Sequence, residues 1–343
     1  MFYIPLAISL LFLTFISCYL PERSPGSRIF STFIMFLLLL IYIFRGDVGT
    51  DYSTYLDIWN GMKNGDSYSY LENGFRGSIL LSIWGGLTAE QFYAIFGSCT
   101  ILISIAACYR LSVKVSVFLL LYFMAIYLTY LFNGMRQAFA MSMLLIALIP
   151  IMDSKHFKVI IYSVIASLFH STGILIYVSY IWSKLRLRII NYIVMISIVI
   201  GFLGGMKLFS NKFLSMYSAT KADVYLLNFS ESTSITQLLY RVVFCIFLYY
   251  LFFLKKSDEI LKYILKIYLL GISLYFLFLE MNMFATRIFM FYQILFPIFI
   301  ARYAYIEPSV TKRFLIVLLS VLIIIPSFYT QISNPDNLYK FVS

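Results

Sequence analysis

Charge is scarce in this sequence. Asp, Glu, Lys and Arg make up 12% of its 343 residues, against a usual share of about 25%. Histidine occurs at positions 156 and 170 alone, and cysteine at 18, 99, 108 and 245. Two histidines without partner spacing argue against a dedicated zinc site. The cysteines lie inside apolar runs with neither metal-ligand nor disulfide spacing, so they read as small buried hydrophobes. No P-loop, GxGxxG or HExxH occurs, and no metal or cofactor is expected. The alternation of a membrane β-barrel is missing, as are internal repeats and low-complexity tracts. No basic segment precedes the first apolar run and no A-x-A site follows it, so Met1–Leu20 reads as a first span and not a cleaved signal.

Apolar residues are what the chain has in excess, at 62% hydrophobic and 19% aromatic. The runs 34–44, 119–131, 193–203 and 314–325 are almost free of charge. A hydrocarbon core about 30 Å thick needs about 20 apolar residues per helix. The expected fold is an all-α polytopic membrane protein with about 11–12 transmembrane helices. These are expected near 1–20, 29–44, 90–109, 115–132, 135–151, 157–169, 171–183, 189–206, 236–254, 262–279, 287–304 and 312–329. They form one domain over 1–343, with polar external loops at 45–77 and 207–235. A short apolar piece at 75–88 is expected to lie in or re-enter the membrane. The net charge of +11 then reflects loop anchoring, not nucleic-acid binding. Lys and Arg concentrate in loops 21–28, 110–114, 152–158, 184–188, 255–266 and 302–313, which the positive-inside rule makes cytoplasmic. Both long loops and both termini are then external. That parity depends on splitting 157–183 at His170 into two short helices.

The external cations are oddly placed. Arg136 opens the helix "RQAFAMSMLLIAL" after "LFNGM", with Asn133 the expected N-cap and Gln137 beside it. A cation in a first turn is disfavoured by about 0.3–1 kcal/mol, whereas free N–H groups plus a guanidinium suit a phosphate. Arg287 in "NMFATRIFMFYQILFP" repeats the pattern, with Thr286 or Ala285 at the cap. The stretch "FRGDVGTDYSTYLDIW" adds Arg45, Asp51, Tyr52 and Tyr55. Thr50 is the expected cap there, and Asp51, Tyr55 and Trp59 share one face. The rings read either as an exposed platform for sugars or as interface anchors. Asp51 reads as a helix cap or as a base whose pKa burial would raise. Glu72 in "YLENGFRGSILL" is a second carboxylate, and Arg241 a further external cation. His170, in "ASLFHSTGILIY", is an ionisable group at membrane depth, either a rival base or a packing residue. His156, between Lys155 and Lys158, reads as a plain loop residue.

Taken in order, "RGDVGTDYSTY", "ENGF", "NGMRQAFAMSMLL", "FHSTG" and "TRIFMFY" resemble the EpsG-like branch of Wzy-type polysaccharide polymerases over roughly residues 40–300. The chain departs from the family pattern at Asn73, where Pro is usual, and at Thr172–Gly173, where Ser-Ala is commoner. The resemblance implies a GT-C-like glycosyltransferase membrane domain in a bacterial inner membrane, its active site facing the periplasm. The substrates implied are undecaprenyl-pyrophosphate-linked oligosaccharide repeat units, joined into O-antigen of lipopolysaccharide or into capsular polysaccharide. The implied partners are a chain-length regulator, the repeat-unit flippase and membrane lipids, with no nucleic acid. On that chemistry Arg136 and Arg287, with Gln137, clamp the pyrophosphate, and Asp51 or His170 takes the acceptor proton. Tyr52 and Tyr55 position sugars, and Arg45, Glu72 and Arg241 orient their neighbours. With one base and no evident covalent nucleophile, direct displacement with inversion is expected. The competing readings are a lipid-linked oligosaccharide flippase, which commonly shows repeated halves, an O-antigen ligase, and a membrane O-acyltransferase with His170 as base.

Overall fold

The apolar runs fold as helices, and polar residues at their ends set where they start. The computed structural model describes residues 2–21, 24–204 and 235–340. The helices are α1 (Tyr3–Tyr19), α2 (Pro25–Ile43), α3 (Tyr52–Lys63), α4 (Asn73–Trp84), α5 (Ala89–Arg110), α6 (Val115–Tyr122), α7 (Met135–Met152), α8 (His156–Phe169), α9 (Leu175–Ser183) and α10 (Leu187–Phe202). After the undescribed 205–234, which takes in most of the expected loop 207–235, come α11 (Ile235–Leu254), α12 (Glu259–Leu277), α13 (Asn282–Tyr292), α14 (Leu295–Ile306) and α15 (Val310–Ile332). Among the described residues there is no strand. Among the described residues, seven segments are long and apolar enough to cross a membrane, Asn282–Ile306 counting as one. Four shorter apolar helices accompany them: Tyr3–Tyr19, Val115–Leu131, His156–Phe169 and Leu187–Phe202. The chain is an all-α multi-pass membrane protein.

Two compact units emerge: Met1–Tyr177 with Pro297–Ser343, and Val178–Phe296. In the first, Ser24 caps α2 by accepting from Ser27 N–H, with Pro25 in the first turn, where its missing N–H costs nothing. Thr88 and Gln91 form a reciprocal capping box at α5, satisfying two otherwise orphaned donors. Buried Ser104 and Ser142 hydroxyls meet at 2.7 Å and join α5 to α7. Basic side chains close the far ends of the helices. Lys114 Nζ donates to Leu20 O at 3.2 Å, Arg313 to Cys18 O at 3.1 Å, and Arg302 to Ser112 O at 2.8 Å. Those carbonyls have no intrahelical partner, and the helix dipole favours a cation there.

Beyond α6 the helix widens to a π pattern over Phe123–Leu131, ending as Phe132 N–H donates to Tyr127 O at 3.2 Å. Such widening is a frequent mark of functional regions, and here it leads directly into "NGMRQ". The expected split at His170 is present. Helix α8 stops at Phe169, His170 is extended (φ −156°, ψ 134°), and a short 3₁₀ turn spans Ser171–Ile174. The chain doubles back, because Ser163 Oγ donates to Gly173 O at 3.0 Å and the Tyr177 ring lies 5.6 Å from that of His156.

In the second unit, Ser197 and Ser273 hydroxyls pair at 2.7 Å between α10 and α12, and Lys266 Nζ closes α9 by donating to Ser183 O at 2.7 Å. One expected helix start is corrected. Helix α13 begins at Asn282 with Met281 at its cap, so Arg287 lies in the second turn, away from the free N–H groups. Neither Thr286 nor Ala285 is a cap; the helix starts earlier because nothing in "NMFA" interrupts it.

Gly173 is required by close approach. A Cβ on it would collide with the Ser167 amide nitrogen and the Ala166 carbonyl carbon, which are backbone and cannot swing aside. Overpacking of this kind costs about 1–3 kcal/mol. Gly173→Ala is therefore expected to lower the thermal midpoint of the purified protein by the equivalent of about 1–3 kcal/mol. Gly77→Ala in α4, where a Cβ meets nothing within 4 Å, is expected to stabilise by up to about 1 kcal/mol.

Candidate functional site

Glu72 is the N-cap residue of α4, yet its side chain does not cap the helix. It reaches across instead. One oxygen, Oε2, accepts from the Arg136 guanidinium at 2.5 Å, and the other, Oε1, accepts from Ser171 N–H at 3.3 Å. The carboxylate thus ties the starts of α4 and α7 to the turn after His170. Glycine permits the approach: a Cβ on Gly74 would lie 2.6 Å from Leu168 O in α8. Asn73, where the family pattern favours Pro, is the first residue of α4. Pro is well tolerated at that position. Asn serves there too, its Oδ1 accepting from Arg76 at 3.1 Å.

Arg136 lies in the first turn of α7, as expected, as its second residue after Met135, and the cap is Gly134 in place of Asn133. Its side chain is 24% exposed and that of Glu72 18%. The guanidinium lies 5.5 Å over the Phe75 ring, and its charge acts on the Tyr55 hydroxyl. Burial pushes the Tyr55 phenol up, and the Arg136 charge partly opposes this. Tyr55 is 5% exposed, its ring 6.0 Å from Phe75 and 5.6 Å from Tyr93. Trp59 is buried as well and donates from Nε1 to Ser82 Oγ at 3.2 Å. The exposed aromatic platform is therefore corrected to an aromatic core behind Arg136, because α3 turns its ring-bearing face onto α4 and α5. Tyr52 remains half-buried.

Thr50 and Asn133, both expected as helix caps, bond each other instead. Thr50 N–H donates to Asn133 Oδ1 at 2.6 Å, and Asn133 Nδ2 donates to Leu128 O at 3.0 Å. The cap position of α3 falls to Asp51, without a side-chain cap bond. Its carboxylate accepts from Thr50 Oγ1 at 3.4 Å and acts electrostatically on Tyr55. Asp51 is exposed, so the burial expected to shift its acidity is missing. Gly49 has φ +110°, and a Cβ there would sit 2.6 Å from Asn133 Oδ1. Arg45 is buried between the rings of Tyr42 (4.5 Å) and Phe132 (4.8 Å) and donates to Phe132 O at 3.2 Å. It closes the π segment and holds the loop down.

A strap near the C-terminal end, which the sequence did not single out, covers this loop. Asp336 O and Lys340 O accept from Gly49 and Gly46 N–H, each at 2.7 Å. Buried Asn337 donates to Gln331 O at 2.9 Å and its Oδ1 accepts from Asn133 at 3.4 Å. The "NPDN" turn, with Asn334 Oδ1 accepting from Asp336 N–H, was the available signal.

His170 Nδ1 accepts from Thr172 N–H at 3.3 Å and contacts Thr172 Oγ1 at 2.8 Å. A nitrogen that accepts from an amide carries no proton, so in the neutral ring the proton is on Nε2. Gln137 is buried beside Arg136. The first unit therefore brings Arg136, Glu72, Tyr55 and the His170 turn together, with Asp51 acting on the same phenol. Arg241 and Arg287 belong to the second unit. Arg241 is buried, lies 3.9 Å over the Tyr275 ring and donates to Tyr275 Oη at 3.1 Å and Thr286 Oγ1 at 3.4 Å. Arg287 is exposed. Among the described residues no group of three His, Cys, Asp or Glu could hold a metal. Chemically, a partly exposed guanidinium in the first turn of a helix, with an imidazole turn bound to its counter-ion, is an anion-binding arrangement.

Asn337→Ala removes the side chain that joins the strap to Asn133. It is expected to raise amide hydrogen exchange at Gly46 and Gly49 several-fold, read by mass spectrometry, while amides in the middle of α7 stay protected.

No curated protein and no solved structure matches the chain. A family model described as the EpsG family matches residues 28–343, which spans the described site from Arg45 to the strap and supports a polysaccharide-polymerase-like role in general. The chain belongs to the EpsG family.

Proposed function

We propose that this protein is a glycosyltransferase that joins undecaprenyl-pyrophosphate-linked oligosaccharide repeat units into a surface polysaccharide, at the periplasmic face of a bacterial inner membrane. The observation that carries the reading is Arg136: a guanidinium in the first turn of α7 with about a quarter of its side chain exposed, in a chain of the EpsG family. A lipid pyrophosphate is the anion that such a chain meets in the membrane, and a guanidinium binds it bidentately.

In the reaction, an acceptor sugar hydroxyl attacks C1 of the donor sugar. The C1–O bond to the pyrophosphate breaks, its electron pair leaves with the pyrophosphate oxygen, and the stereochemistry at C1 inverts. Arg136 stabilises the charge that grows on the leaving group, an effect whose loss costs about 2.7–4 kcal/mol. Asp51, exposed and acceptor-only, takes the hydroxyl proton. His170 is less suited to that role, because its accepting nitrogen is engaged by Thr172; its Nε2–H donates to the incoming anion. Glu72 holds Arg136 until the phosphate arrives. Tyr52, half-buried at the edge of the loop, positions a sugar ring, and Tyr55 keeps the guanidinium in place from behind.

Two outcomes are expected on a gel of surface polysaccharide. Arg136→Ala lowers polymer formation about 10²–10³-fold, leaving single capped repeat units at normal protein level; wild-type polymer from this variant overturns the clamp. Asp51→Asn blocks polymerisation by about 10²–10⁴-fold, whereas His170→Gln retains more activity; the reverse order makes His170 the base. A deletion strain discriminates the reaction class. Single-repeat bands support the polymerase. Accumulated undecaprenyl intermediates without surface sugar mean a flippase, polymer detached from core a ligase, and full-length polymer lacking acetyl an acyltransferase.

A further inference from the structure

The first unit has a polar recess at the end of its helices opposite Arg45 and Arg136. Helix α2 carries Ser27 in its first turns, and Arg45 follows its last turn. Its 19 residues span about 28 Å, close to the hydrocarbon thickness of about 30 Å. The two regions therefore belong to opposite membrane faces. The recess is a cavity of about 200 Å³ whose wall includes Ser27, Arg28, Ser31, Tyr109, Ser112 and Tyr305. At about 30 Å³ per water, that is room for six or seven water molecules, more than a bare phosphate needs.

Its chemistry suits a phosphodiester. Arg28 supplies an exposed guanidinium, and serines and tyrosines supply hydroxyls. The Ser27 side chain is 1% exposed, and its Oγ makes no hydrogen bond. A buried hydroxyl left without a partner costs about 1–3 kcal/mol, and this one belongs to a residue that lines the recess. The surface beside the recess tells a free anion from a lipid. Ile29, Phe33 and Phe36 are all more than half exposed. At spacings of four and three residues they form one apolar stripe running along α2 away from Arg28. A headgroup in the recess would lay its acyl chain on that stripe. The surrounding end is also basic, with Arg110, Lys312 and Arg313 at neighbouring helix ends, which favours anionic lipid.

We infer that this recess binds the phosphodiester headgroup of an anionic phospholipid, with Arg28 on the phosphate, Ser27 and Ser31 lining the headgroup and the acyl chain along Ile29, Phe33 and Phe36. The site is separate from the polymerase reading and does not depend on it.

Native mass spectrometry of the full chain in mild detergent tests it, with phosphatidylglycerol, phosphatidylcholine or inorganic phosphate added. Wild type is expected to retain phosphatidylglycerol about fivefold more than phosphatidylcholine, and Arg28→Ala to lose about that factor. Ser27→Ala, which removes the lone hydroxyl at little change in volume, lowers retention while the thermal midpoint rises, because an unsatisfied buried group is removed. Equal retention by wild type and Arg28→Ala overturns the inference. So does equal retention of both lipids, or an inorganic phosphate adduct that persists where phosphatidylglycerol is not held.

Discussion

The Arg136–Glu72 pair is the contact on which the site depends. The start of α7 already carries the positive end of a helix dipole, and a guanidinium there adds like charge. Glu72 offsets it at 2.5 Å. With both groups largely shielded from water, removing the acid would leave a poorly solvated cation, which in a fully buried pair costs about 3–5 kcal/mol. The pairing is nonetheless incomplete. A guanidinium has five donors, and Arg136 Nε is buried without a hydrogen-bond partner. Under the proposed function Glu72 is a placeholder: it holds the guanidinium aimed while a phosphate, with more oxygens to offer, completes the set.

Four other cations of the first unit do a different job from Arg136. Lys114, Arg302 and Arg313 donate to the last carbonyls of helices or to the turns that follow them, and Arg45 to the last carbonyl of the π segment. Each reaches the C-terminal end of another element and satisfies an acceptor left open there, although Lys114 and Arg313 themselves stand at the starts of α6 and α15. Their roles are explained by the fold alone. Part of the basic excess at one end, which the positive-inside rule reads as topology, is thus also helix termination. Arg136 differs in its partner: it meets the Glu72 carboxylate rather than an open carbonyl.

That contrast also accounts for what was legible in the sequence. Helix positions follow from apolar runs and local caps, and Thr88 with Gln91 announces α5 within four residues. The pairing of Arg136 with a helix start was legible for the same reason. Arg287 was misplaced because Met281 is a cap without a capping side chain, so the start of α13 carries no local mark. Thr50 and Asn133 are good capping residues by type, but each satisfies a partner about 80 positions away, and propensity carries no information on that. Tyr55 and Trp59 share one face, as periodicity says. Whether that face meets water or α4 and α5 is decided by tertiary packing, Tyr55 against Phe75 and Tyr93 and Trp59 against Ser82, which periodicity does not carry. The strap escaped notice because its bonds to the loop use backbone carbonyls, which every residue has.

The depth of the His170 turn joins these observations. Helix α8 has 14 residues and rises about 21 Å, less than the hydrocarbon core of about 30 Å. With Lys155 and Lys158 at one interface, its turn ends short of the other. Irregular backbone at such depth persists only where protein or enclosed water satisfies it. Here protein does so group by group. Glu72 accepts from Ser171 N–H, His170 Nδ1 from Thr172 N–H, and His170 O from Gly173 N–H, while Ser163 donates to Gly173 O. "ENGF" and "FHSTG" therefore belong together for a structural reason before any chemical one: the carboxylate that neutralises Arg136 also makes the turn tenable below the surface. A charge pair held at that depth acts in a lower effective dielectric than one in bulk water, where each interaction with an arriving phosphate is stronger. Under the proposed function, the constraint that lets the chain reverse at this depth is the same one that readies its guanidinium for an anion.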